Sequence, residues 1–328
     1  MSSHFAIILI LAIIYGYLNG IHSSASVVST TIASRAIHPR FALVIAACSI
    51  ALGPFLLGSA VANTIAVEFI DPRAITMKVV VAALVGAISW CSISLWLRIP
   101  SSISQSLFGG LIGASWAGFG LSAIQTSGLH KILIALFISP ILGLAIALLL
   151  VRIIYFSCQW ADPHINRWFN RGQIIVTILM GIAFGANNGQ IIIAVIMLGI
   201  IASTNGHSYL IPQWVEIISA LTIGLGTLTG GMRLIRTLGS KFYKIRPIHG
   251  FGAQLASVIV IFSAASLGGP VSASQVVISS ILGAGSADRI QKVRWSMAKH
   301  IMMGWLLTLP SAALVAIIVY RMVEQLPL

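Results

Sequence analysis

A chain of 328 residues that is 58% apolar and only 8% charged, with a mean hydropathy of +1.02, lies far from soluble globular domains, where about a quarter of residues are charged. It reads as an all-α polytopic membrane protein with no stretch left over for a soluble catalytic domain. Its formal charge of +13 sorts by loop and so reports orientation in the membrane, not nucleic-acid binding, and Cys48, Cys91 and Cys158 are too scattered for a metal or redox pair.

Apolar segments are predicted at roughly 4–34, 41–62, 74–97, 101–125 and 130–152, then at 172–200, 213–232, 250–268, 271–287 and 300–321. The first, HFAIILILAIIYGYLNG, lacks the basic flank and small-residue cleavage site of a secretory signal and is read as a retained helix. It runs into NGIHSS, where Asn19, His22 and Ser23 interrupt the apolar run, and Ser26, three residues after Ser23, shares its helical face. The fourth segment opens on PSSISQSLFGGLIG, Pro100 to Gly113. The sixth is overlong and interrupted by GANNGQ, Gly185 to Gln190. The ninth opens on PVSASQVVISSILG, Pro270 to Gly283, identical to the fourth at five of fourteen positions and offset from it by 170 residues.

Lys and Arg concentrate at Arg35 and Arg40, at Arg98, between Arg152 and Arg171, between Arg233 and Arg246, and between Arg289 and Lys299, which places those segments in the cytoplasm. The stretches Asn63 to Asp71, Gln125 to His130 and Ser203 to Gln213 then face outward, as do both termini. Each half carries five segments, an odd number, so the second half enters from the opposite side. This is the inverted-topology repeat of secondary transporters, with broken helices and Pro/Ser-containing re-entrant or half-helix hairpins, and with a first repeat over 1–155, a cytoplasmic linker over 156–171 and a second repeat over 172–328. The basic run RLIRTLGSKFYKIRP touches anionic lipid headgroups, and Trp160, Trp168 and Trp214 read as interfacial anchors.

Proline breaks a helix, and a half-helix starting inside the membrane presents free N–H groups and a positive dipole end. Such backbone is tolerated only where it lines a cavity, and it favours an anion. The predicted substrate site is therefore Ser102, Ser104, Gln105, Ser272, Ser274, Gln275, Asn187, Asn188, Gln190, Ser23 and Ser26, with His22 as the coupling candidate because its unperturbed pKa lies near neutrality. The competing reading makes the hydroxyls packing residues, the two glutamines caps of the half-helices and His22 a hydrogen-bonded packing residue.

At these residues the chain resembles the PiT family of inorganic phosphate transporters. NGIHSSASV and SRAIHP stand where the family has N-G-x-H-D-x-A-N-A and T-R-A-x-x-P, GANNGQ where it has G-A-N-D, and PSSISQ and PVSASQ where it has P-x-S-x-x-H; VRW and WLLTLPSAA complete the match. The chain departs from the pattern at Ser23 and Asn188, which replace aspartates, at Ser26, which replaces asparagine, and at Gln105 and Gln275, which replace histidines. The resemblance implies a secondary transporter of inorganic phosphate working by alternating access as a symporter and as a homodimer; no cofactor is expected, and the compact chain, short loops and absence of a transit-like basic N-terminus suggest a bacterial inner membrane. In the family the aspartates are associated with the driving cation and the bound anion. This chain has six acidic residues, Glu68, Asp71, Asp162, Glu216, Asp288 and Glu324, all expected in loops or near the membrane surface. Na⁺ near Ser23 and Asn188, H⁺ through His22 and no coupling at all therefore stand as alternatives, and sulfate or another tetrahedral oxyanion competes with phosphate as substrate. Other classes are a passive channel, a non-transporting sensor or assembly subunit, and an intramembrane serine hydrolase built on GASWAG and His300.

Overall fold

The computed structural model describes residues 3–97, 101–162, 164–204, 210–230 and 245–325, together with 235, 239 and 243. Pro100, Arg98 and most of the basic run 233–247 lie outside the described residues. The elements are helices α1 (Ser3–Ala33), α2 (Pro39–Leu52), α3 (Ala60–Ala66), α4 (Met77–Leu97), α5 (Ile103–Phe119), α6 (Thr126–Ser157), α7 (Ile165–Phe184), α8 (Gln190–Ser203), α9 (Gln213–Thr229), α10 (Pro247–Ser266), α11 (Ala273–Asp288) and α12 (Trp295–Val323). A π-helical turn, Gly185–Gly189, joins α7 to α8.

Two expected interruptions are not breaks. α1 runs unbroken through NGIHSS, because the stretch contains no proline and the short polar side chains bond within the helix or to neighbours. GANNGQ widens one turn of an otherwise continuous rod, as π-turns do at functional sites. The break falls instead in the second segment, where Gly53–Phe55 tightens into a 3₁₀ turn and the chain bends by 70° between Pro39–Phe55 and Ala60–Ala66. The sixth segment begins at Ile165, seven residues before the predicted 172.

Among the described residues six helices are long and apolar enough to cross a bilayer, or seven spans if the bent pair counts as one. α5 and α11, with 17 and 16 residues, reach about 26 and 24 Å at about 1.5 Å per residue. Their starts meet, because the hydroxyls of Ser102 and Ser272 share a hydrogen bond of 2.7 Å. Their far ends return to where the preceding helices began. Ile70, just before α4, bridges to Ile124, just after α5, and Tyr243, just before α10, stands 2.5 Å from where a Cβ on Gly285 of α11 would lie. The pairs α4–α5 and α10–α11 are therefore hairpins whose tips touch, as expected of the Pro/Ser-containing segments.

The halves exchange elements symmetrically. α5 packs on α12 of the other half, and α11 on α6. Glycines at equivalent places allow these contacts: a Cβ on Gly113 would lie 2.3 Å from the carbonyl oxygen of Ala313, and one on Gly283 would lie 2.1 Å from that of Leu144. The partner helices α6 and α12 carry Pro140 and Pro310 at positions again related by the repeat. The rod α7–α8 sits at the centre, with 94% of its most apolar window buried, whereas α6 and α12 bury 28% of theirs and turn large apolar side chains outward.

Candidate functional site

Helix α1 aligns Tyr15, Asn19, His22, Ser23 and Ser26 along one side by their spacing of three and four residues. This stripe touches both hairpin tips and the π-turn. The Tyr15 hydroxyl donates to the carbonyl oxygen of Ile103 at the start of α5 (3.3 Å), and the Ser26 hydroxyl donates to Ser274 Oγ at the start of α11 (3.2 Å). Asn188 Nδ2 donates to Ser23 Oγ (3.2 Å), and Ser23 donates onward to Asn19 Oδ1 (3.3 Å).

Ser102 caps α5 by accepting from the N–H of Gln105 (3.3 Å) while bonding Ser272 across the tips. In a helix the first N–H groups, here those of Ile103 and Ser104 and of Ala273 and Ser274, have no intrahelical acceptor. Two positive helix ends are thus brought together inside the apolar body, each equivalent to roughly half an elementary charge. Ser102, Ser104, Gln105, Ser272 and Gln275 are all buried. Around them, buried side-chain atoms lack partners: Gln105 Oε1 and Asn188 Oδ1 as acceptors, Gln275 Nε2 and Asn19 Nδ2 as donors, and His22 Nε2. A buried polar atom without a partner costs about 1–3 kcal/mol, so this concentration points to a place that a polar guest completes.

These bonds join three separate pairs, Ser26 with Ser274, Ser102 with Ser272 and Asn188 with Ser23, with Ser104, Gln105 and Gln275 on the same tips. Two of the predicted site residues hold architecture. Asn187, with its amide turned to match donor to acceptor, pairs with both the N–H (3.2 Å) and the carbonyl (3.3 Å) of Val271, fastening the π-turn to the second tip. Gln190 Oε1 accepts from the N–H groups of Val61 (2.7 Å) and Ala62 (3.3 Å), capping α3 from 129 and 128 residues away and leaving its Nε2 unpartnered. Ser115 is buried on α5 with an unpartnered hydroxyl while His300 is exposed near the start of α12, so they form no nucleophile–base pair.

Sequence reasoning passed over a second buried polar cluster. Gln254 Nε2 donates to the Val27 carbonyl (3.0 Å), to Thr31 Oγ1 (2.8 Å) and to Thr177 Oγ1 (3.3 Å), and the two threonines share a 2.7 Å bond. The signal was available, since an amide inside the apolar run of α10 is as costly as the amides of GANNGQ. All six acidic residues lie at helix ends or between helices. Among the described residues no three His, Cys, Asp or Glu side chains converge.

Residues 19–316 match the model of the phosphate transporter family. The chain is 36% identical, over 94% of its length and 93% of the relative's, to a "probable low-affinity inorganic phosphate transporter" of Rhizobium meliloti. It is 34% identical, over 98% and 97%, to a protein of the same description from Bacillus subtilis. Its fold superposes with a TM-score of 0.91, at 21% identity and over 98% and 99% of the two chains, on a solved structure described as "The sodium-dependent phosphate transporter". With a family match that spans both signature turns and both hairpin tips, this chain belongs to the phosphate transporter family.

Proposed function

We propose that this integral membrane protein carries inorganic phosphate by alternating access, its two inverted repeats rocking around a site made by the hairpin tips, the α1 stripe and Asn188. The observation that carries the reading is the Ser102–Ser272 contact, which joins two half-helix starts in the buried interior beside unpartnered glutamine amides. Hydroxyls and amides, with the helix ends, face the anion from the stretches 19–26, 101–106, 185–190 and 271–275, which contain no Lys or Arg. Nothing covalent happens to the substrate.

Phosphate is favoured over sulfate by Gln105 Oε1 and Asn188 Oδ1, two buried acceptors without donors. Protonated phosphate brings an O–H for one of them, and sulfate brings none. A site built to bond a substrate hydroxyl rejects an analogue that lacks it by a large factor, because its own groups are then left unpaired. Charge sorting supports both termini on the outer face of the membrane, and the compact chain with short loops suits a bacterial inner membrane. The test is binding to the purified protein in detergent, with labelled phosphate displaced by unlabelled phosphate, sulfate or chloride. Displacement by phosphate at concentrations at least tenfold below sulfate supports the reading, and equal displacement by sulfate contradicts the choice of substrate.

A further inference from the structure

Of the 19 lysines and arginines, loop charge leaves Arg73, Lys78, Lys131 and Arg321 at the helix ends assigned to the outer side. Two of these are paired: Lys131 Nζ meets Glu68 Oε2 at 3.2 Å, and an Arg321 guanidinium nitrogen meets Glu324 Oε2 at 3.1 Å. Among the described residues Arg73 and Lys78 pair with no carboxylate, and both line one cavity of about 530 Å³. The nearby carboxylates bond elsewhere. Asp71 Oδ1 accepts from the backbone N–H of Arg73 (2.8 Å), and Glu324 offers Lys78 its main-chain carbonyl oxygen (2.9 Å).

The cavity lies at the base of the first hairpin, between the start of α4 at Met77 and the end of α5 at Phe119, against the end of α8 and Tyr320 of α12. The length of α5, about 26 Å, separates it from the Ser102 tip, so it is no part of the polar centre. Thr76 Oγ1 caps α4 by accepting from the N–H of Val79 (3.4 Å), and the N–H groups of Met77 and Lys78 have no acceptor within the helix. The cavity thus collects a guanidinium fork, an ammonium group and a positive helix end, with apolar side chains such as Phe119 beside them. A phosphate group suits that set. The guanidinium donates to two of its oxygens, lysine adds a point charge, and free N–H groups at the helix start donate to a further oxygen.

We propose that this cavity is a second site for a phosphate-bearing anion, reached from the outer side and separate from the polar centre. The group bound is free phosphate or the phosphodiester of an anionic lipid headgroup, which present the same oxygens to Arg73 and Lys78. Free phosphate held there is concentrated at the outer face, whereas a headgroup ties the base of the first hairpin to α12 and α8.

The test is protection of Lys78 from an amine-acylating reagent, read by mass spectrometry on the purified full-length protein in a neutral detergent. Lys131, held in its ion pair on the same side, is the internal reference. The probes are inorganic phosphate and short-chain phosphatidylglycerol, with chloride and short-chain phosphatidylcholine as controls at matched ionic strength. Slower acylation of Lys78 with phosphate identifies the free anion, and slower acylation with phosphatidylglycerol alone identifies the headgroup; Lys131 is unaffected in both cases. Arg73→Gln, at an exposed position, is expected to raise the concentration for half-protection about tenfold, the worth of one charge-assisted hydrogen bond. Protection by neither probe, equal protection by the controls or of Lys131, or undiminished protection in Arg73→Gln would overturn the site. None of these outcomes depends on transport or on the polar centre.

Discussion

At the scale of single residues, the central polar chain makes two substitutions informative. Ser23→Asp puts a buried carboxylate beside Asn188 with no cation to balance it, and an uncompensated buried charge costs about 3–5 kcal/mol. The variant is expected to melt well below the wild type in choline and to regain much of the difference in Na⁺; differential scanning fluorimetry reads this directly. His22 Nε2 is buried without a partner on the same stripe. If His22 serves as a donor to the anion, His22→Gln retains exchange to within a few-fold and keeps the shape of its pH profile; a flattened profile would assign it the proton-coupling role. The identities of most of these residues were legible in the sequence, because hydroxyls and amides in apolar runs are costly unless used. Their partners were not. Gln190 looked like a site residue on composition, and its bond to Val61 is set by a bend 129 residues away.

At the scale of elements, the bend between α2 and α3 and the close helix crossings carry the fold. Gln190→Leu removes the acceptor for two N–H groups of α3, a loss of about 1–3 kcal/mol. Faster amide exchange across 60–66 is the expected signature, measured by hydrogen–deuterium exchange, with the α5–α12 contact unaffected. Gly283→Ala places a methyl group within 2.1 Å of the Leu144 carbonyl, backbone that cannot rotate away. Separation of α11 from α6 should lower the melting temperature, at a cost of about 1–3 kcal/mol, and Gly113→Ala should do the same on the equivalent face of α5. The repeated PxSxSQ motif made the hairpin tips readable from sequence, since a proline followed by a capping serine marks a helix start. A re-entrant or half-helix hairpin was readable there too; which of the two the chain forms was not, because apolar length alone does not distinguish them. The unbroken course of α1 was not readable either: polar residues within an apolar run read as a break, yet short side chains that bond within the helix leave it intact.

At the scale of the whole molecule, symmetry connects these observations. Ser102 and Ser272, corresponding residues of the two repeats, meet as a pair, and Ser23 meets Asn188, so the proposed site lies where the halves face one another. Motion of either half against the other must open these pairs on one side at a time, which is what alternating exposure of a central site demands. The inverted plan was legible from loop charge and from the 170-residue repeat, whereas the exchange of α5 and α11 between halves was not, since it depends on glycine contacts far apart in sequence. The most direct test is phosphate–phosphate exchange across liposomes by the wild type and by the doubly substituted Ser102→Ala, Ser272→Ala protein. Removing two hydrogen-bonding groups from a charged ligand costs about 1.5–3 kcal/mol each. The account therefore predicts exchange by the wild type and a drop of at least tenfold in the variant, with its folded fraction at the assay temperature near that of the wild type and a melting temperature lowered by the lost cap on α5, worth about 0.5–2 kcal/mol. Exchange at the wild-type rate by a variant lacking both hydroxyls would contradict it.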